Sequence, residues 1–209
     1  MKKITILVGI LFAFFWGSVQ MAFANSNDPV GMMQMLANEM ITSLKAHKTT
    51  LKNNPKLVYS LAYKIVIPHA DLDEMSQRVL PPQTWNNASA SQRTQFKKEF
   101  TDLLVRTYAS ALGDYTDQNI RFFPVRGGAS GKDTVTVNSQ IVRSDGPSVA
   151  VSYKLHLKGS SWMVYDMAVE GVSLLQSFQE QFRQKLSQGT MDQLLKDLRE
   201  HNIKKPRRS

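Results

Sequence analysis

Apolar residues recur at helical spacing from Asp28 onward. Asp28-Pro29 supplies an N-cap followed by proline at the first helical position. Val30, Met33, Ala37, Met40, Ile41 and Leu44 then mark one face of a predicted helix. Asn54-Pro55 repeats the start signal, and Leu57, Val58, Leu61, Ile65 and Val66 carry the period up to Pro68, which ends it. Asp71 with Glu74 opens a short helix that Pro81-Pro82 closes. Ser89 with Gln92 opens the longest periodic segment, whose stripe is Phe96, Phe100, Leu103, Leu104, Thr107, Tyr108, Ala111 and Leu112. Gly113 and Asp114 stop it.

Beyond that point the period changes from helical to alternating. Segments 120–125, 134–142, 149–157 and 161–169 read as strands, separated by turn sequences such as Ser144-Asp145-Gly146-Pro147 and Gly159-Ser160. In 149–157 the residues Val149, Val151, Tyr153, Leu155 and Leu157 share one face, while Ser152, Lys154, His156 and the following Lys158 take the other. Strict alternation in the last strand sets Met163, Tyr165, Met167 and Val169 on one face and Trp162, Val164 and Asp166 on the opposite one. Two more helices are predicted, 173–186 and 191–202, the second capped by Thr190 with Gln193. Strands segregated from helices predict an α+β architecture: a twisted antiparallel meander of about four strands covered by several helices.

Composition changes this picture at the two ends. Lys2 and Lys3 precede an apolar run from Ile4 to Trp16 and a small-residue exit, Ala22-Phe23-Ala24. The run is shorter than the roughly 20 residues that span a bilayer, so a secretory leader cleaved after Ala24 is expected. Residues 25-203 are then one α+β domain and 204-209 a basic tail. The chain has no cysteine, which excludes disulfides, thiol catalysis and thiolate metal sites. Its formal net charge is +9, but Lys204, Lys205, Arg207 and Arg208 lie together at the extreme end. The body therefore lacks the basic face and the aromatic platform expected of a nucleic-acid binder.

No reaction motif holds together. The glycines of 127–131 with Lys132-Asp133 resemble a phosphate loop, yet the spacing is one residue short and no Ser or Thr follows the lysine. Ser148 sits at a strand start, not on the strand-to-helix elbow of a hydrolase. His47, His69, His156 and His201 have no metal-ligand spacing and no evident partner. Asp71, Asp73 and Glu74 read as helix-start charges rather than a calcium loop. Asp166 is the one acid inside an alternating strand and is read as structural. No metal and no cofactor are expected. The residues left over are apolar faces and a methionine cluster, Met32, Met33, Met35 and Met40, of the kind that lines adaptable apolar sites.

Three blocks carry a family resemblance: Val66 to Leu80, Leu104 to Leu112, and Trp162 to Leu175. In that order and spacing the chain resembles the MlaC-like periplasmic phospholipid-carrier family, also called toluene-tolerance auxiliary proteins. The resemblance implies a monomeric periplasmic shuttle with a cone-like α+β fold, whose sheet and helices enclose an apolar pocket for acyl chains. It further implies loading and unloading at an inner-membrane ABC-transporter complex and an outer-membrane lipoprotein complex. Phospholipid would be cargo, not cofactor, and nucleic acid no partner. The pocket is expected from Phe100, Leu104, Tyr108, Val149, Val151, Tyr153, Met163 and Tyr165. Two other classes fit the residue pattern. One is an acid-base isomerase using Asp166 with Tyr108 or Tyr165, and the other a structural envelope adaptor with a filled core.

Overall fold

The computed structural model describes residues 28–54, 56–113, 119–143 and 146–203, with the side chains of 52, 53, 56 and 109–113 left out. The expected leader, the basic tail and the Ala111-Leu112 end of the long stripe thus lie outside what is described.

Helix α1 (Pro29–Ala46) starts where expected: the Asp28 carboxylate accepts from the Val30 N–H at 3.0 Å, and Met33, Leu36, Met40 and Leu44 form its buried face. The helix expected to run up to Pro68 is broken into several pieces. After α2 (Lys48–Asn53) come α3 (Lys56–Leu61), a π-helical turn (Ala62–Val66) and a 3-10 turn (Ile67–His69). Pro68 has no N–H to offer the preceding turn, and the helix stops at Ala70, whose backbone is extended and whose N–H donates to Ile67 O at 3.1 Å.

Helix α4 (Leu72–Val79) is capped by Asp71, which accepts from the Glu74 N–H at 3.1 Å. Pro81-Pro82 ends it and also starts α5 (Pro82–Asn87), because proline at the first helical position loses nothing. In α6 (Ala90–Gly113) the capping box is reciprocal: Gln92 N–H donates to Ser89 Oγ at 3.1 Å, and Ser89 N–H to Gln92 Oε1 at 2.9 Å.

The sheet is an antiparallel meander in the order β1 (Asn119–Phe123), β2 (Thr134–Val142), β3 (Val149–Lys158), β4 (Ser161–Val169), β5 (Val172–Ser173). About four strands were expected; the fifth is a two-residue return. Glu170 and Gly171 both take positive φ, 49° and 80°, as a two-residue hairpin turn requires. Glu170 is held there by its N–H donating to Ala150 O at 2.9 Å and its carboxylate accepting from the Ala150 N–H. Helix α7 (Leu174–Gln188) follows directly, capped by Ser173, and α8 (Met191–Ile203) closes the described chain, with Gln193 N–H on Thr190 Oγ1.

Strict alternation fails in β4. Lys154 pairs with Asp166 and Leu155 with Val164, so Tyr165 is an extra, bulged residue. The expected face of Met163, Tyr165, Met167 and Val169 is therefore split. Met167 and Val169 lie beside Tyr153 and Val151, as do Trp162 and Val164 beside Leu157 and Leu155. Met163 lies across from His156 on the other face, where Tyr165 also packs, its ring 5.4 Å from that of His156. Asp166 likewise turns to that face instead of accompanying Trp162 and Val164.

Two cores result, on opposite sides of β4. In one, α1, α3 and the π-turn cover Val135, Val137, Leu155 and Trp162. In the other, α4, α6, α7 and α8 pack together around Phe96, Phe100, Phe178 and Phe182, with Tyr165 at its margin. The four rings sit 5.5–5.8 Å apart in stacked and edge-on pairs, each such pair adding about 0.5–1.5 kcal/mol beyond its burial.

Candidate functional site

The sheet face under α1 is apolar along its whole length but unevenly covered. Near the β3–β4 turn, Val135, Val137, Leu155 and Trp162 are all below 8% exposed beneath Met33, Leu36, Met40 and Leu44. Toward the other end the same face continues through Phe122, Ser139 and Ile141, then Val149, Val151 and Tyr153, then Met167 and Val169. There Phe122, Ile141, Val149, Tyr153, Met167 and Val169 are only half-buried. A contiguous apolar surface thus runs out from beneath a methionine-bearing helix. The Tyr153 ring lies 6.2 Å from Phe122. Burial pushes its hydroxyl up from the usual phenol range, a hydrogen bond with Ser139 partly opposing this, so the group stays neutral.

The eight residues expected to line a pocket divide between the two sides of the sheet. Val149, Val151 and Tyr153 are on the apolar face. Phe100 is completely buried in the phenylalanine core; Leu104, Tyr108 and Tyr165 pack against that same core, and Met163 is half-buried on the His156 side. The alternation of the last strand put Met167 and Val169 on an apolar face with Trp162 and Val164 together on the opposite one, whereas the structure sets all four on one face; Phe122 and Ile141 were not singled out. The alternation of 120–125 and 134–142 carried Phe122 and Ile141; nothing local announced the bulge that set the other four on one face.

Asp166 and His156 are committed to the fold. Asp166, 3% exposed, accepts from the Ser173 hydroxyl at 2.9 Å, the Leu175 N–H at 3.2 Å and Lys154 Nζ at 3.1 Å, which ties the start of α7 to β4. A carboxylate so engaged serves the start of a helix. Tyr165, the bulged tyrosine, lies between His156 and Arg78, whose Cζ is 4.8 Å from its ring centre. Burial raises the Tyr108 hydroxyl, keeping it protonated. His156, expected to lack a partner, has one: its Nε2 is 2.9 Å from Asp71 Oδ2, a residue 85 positions away in the chain. Asp71, Asp73 and Glu74 do start a helix, as expected. Among the described residues no group of three or more His, Asp or Glu could hold a metal, and no helix is long and apolar enough to cross a membrane.

Fold and site together define a helix-covered antiparallel sheet that presents an apolar surface. A family model described as MlaC protein matches residues 34–200, and the chain belongs to that family. The intermembrane phospholipid transport system binding protein MlaC of Haemophilus influenzae is 27% identical over 178 residues, 84% of this chain and 81% of its own length. The toluene tolerance protein ttg2D of Pseudomonas putida is 27% identical over 154 residues, 74% of this chain and 71% of its own length. A phospholipid-binding protein from Ralstonia solanacearum, solved in complex with a phospholipid, superposes with a TM-score of 0.77 at 27% identity. That match covers 84% of this chain and 97% of the other.

Proposed function

We propose that this protein is a phospholipid carrier that shelters acyl chains on the apolar sheet face between β1–β4 and α1. The observation that carries the reading is the half-buried apolar run of Phe122, Ile141, Val149, Tyr153, Met167 and Val169, continuous with the covered core. The kinship with a phospholipid-bound fold and with a phospholipid transport binding protein supports it. Each buried methylene contributes about 0.8 kcal/mol, so an acyl chain with about 14 sheltered methylenes gains about 11 kcal/mol before ordering costs. Such a cargo leaves slowly into water, so transfer requires docking to a membrane system.

The working cycle we assign is periplasmic. The chain is exported, cut after Ala24, and moves as a monomer between an inner-membrane ABC-transporter complex and an outer-membrane lipoprotein complex. It has no phosphate-binding loop of its own, so any energy input comes from the partner. The role is binding and transfer rather than catalysis, with phospholipid as cargo.

Extraction and mass spectrometry of the gently purified protein should find phospholipid at a stoichiometric level. In Val149→Glu, bound lipid should fall several-fold, because a carboxylate is costly to desolvate against a chain that offers it no partner. Its melting temperature should fall only to that of lipid-stripped wild type, since the half-buried site leaves the new group access to water. Wild type carrying no lipid would refute the carrier reading.

A further inference from the structure

The opposite face of the same sheet carries a half-open cleft of about 340 Å³. Its floor is Ala150 and Ala168, and the side chains around it include Phe123, Asn138, Gln140 and Ser152. The register explains the arrangement. Phe123, Asn138, Ser152 and Ala168 lie in one row across β1 to β4, and Gln140 beside Ala150 lies one row along. Small side chains in the middle and a ring at one end turn an otherwise flat sheet surface into a hollow.

The polar groups here do not serve the fold. Among the described residues, the side chains of Asn138, Gln140 and Ser152 have no hydrogen-bond partner, and all three are half-buried. The charges nearby are engaged at the cleft's margin: Glu170 accepts from the Ala150 N–H, Lys154 pairs with Asp166, and Arg121, across from Gln140, rests against the Phe123 ring at 5.4 Å. The lining itself carries no charge. A metal therefore finds no carboxylate in the lining, and an acyl chain would strip water from two amides and a hydroxyl without replacing it.

We propose that this cleft binds a neutral polyhydroxylated ring of the hexose class. Amides donate and accept at once, and so does a serine hydroxyl, which matches ligand hydroxyls that do the same. Asn138 and Ser152 sit on adjacent strands about 4.8 Å apart, with Gln140 about 7 Å along the strand, a spacing that fits the hydroxyl rim of one sugar ring. The exposed part of the Phe123 ring faces the C–H side of such a ring. A flat nucleobase would want an aromatic partner on both sides, and here the second side is methyl groups.

The test is a titration of ¹⁵N-labelled protein with D-glucose up to about 100 mM, where a millimolar site saturates. Saturable shifts should appear at the Asn138 and Gln140 side-chain amides and around Phe123. The double variant Asn138→Ala, Gln140→Ala should bind at least about tenfold more weakly, its spectrum reporting that it is folded. Ala150→Leu, which fills the floor, should abolish the shifts by a separate route. Absence of saturable shifts in wild type overturns the proposal. So do shifts that survive both variants, or a stronger response to adenosine than to glucose.

Discussion

One oxygen of Asp71 meets both Lys158 Nζ, at 2.8 Å, and His156 Nε2, at 2.9 Å, while the other caps α4 through the Glu74 N–H. This 4%-exposed carboxylate fastens a helix start to the middle of the sheet. Burial pushes its pKa up, but the bonds from Lys158, the Glu74 N–H and His156, with the Lys158 charge, more than offset this and leave it lowered. A folded-state value below the unfolded one means the stabilisation is present above the unfolded pKa, about 3.9, and is lost as pH falls through the folded value. Asp71→Asn should cost about 1–3 kcal/mol at neutral pH, and its gap to wild type should close below about pH 4. Urea unfolding across that range checks both points; a gap independent of pH would mean the ion pairs contribute nothing. The Asp-x-x-Glu spacing made the cap legible. Its partners on β3 were not, because they approach only when the sheet is built.

Among elements, α6 is the one whose surface reading and packing diverge most. Its stripe was legible, but a stripe does not name the element it will meet. Phe96 and Phe100 meet Phe178 and Phe182 of α7, and the interior there is filled with rings. Phe100→Ala should accordingly cost about 3–5 kcal/mol in unfolding free energy while the folded fraction keeps its lipid. Val149→Glu should instead lose its lipid while melting no lower than lipid-stripped wild type, and measuring melting and bound lipid on both variants separates core from cargo surface. Strand β4 makes the same point at finer grain. Period two assigns faces only while the ladder is regular, and one bulged residue, Tyr165, moves Asp166 to the face where it can cap α7. Before the bulge, the alternation places Trp162 and Val164 correctly together; after it, the parity of every residue changes.

At the scale of the whole molecule, one sheet serves two cores of different character. The side built by α4, α6, α7 and α8 is closed and rich in rings, whereas the side under α1 runs out into half-buried aliphatic surface. A ligand filling that surface binds only the folded state and so raises its stability. At a hundredfold excess over its Kd the gain is about 2.7 kcal/mol, or about 5–10 °C in melting temperature for a domain of this size. Protein stripped of lipid should melt lower by that order, and reloading with phospholipid should restore the difference in a thermal scan. Equal melting of both forms would place the cargo away from the folded domain.

The sequence by itself determined the α+β class, the order of the main helices and strands, and their caps. Those are set by residues within a few positions of each other: Asp28-Pro29, Ser89 with Gln92, the alternation of 149–157. The three family blocks were legible for the same reason, being contiguous. Only the tertiary structure decided which apolar faces became filled core and which remained partly open, since that depends on how far a covering helix extends over a sheet of given width. Only it decided, too, the partner of His156, the bulge at Tyr165 and the uncommitted amides of Asn138 and Gln140. Each is a relation between strands or helices far apart in the chain, and no local pattern encodes the distance at which they meet.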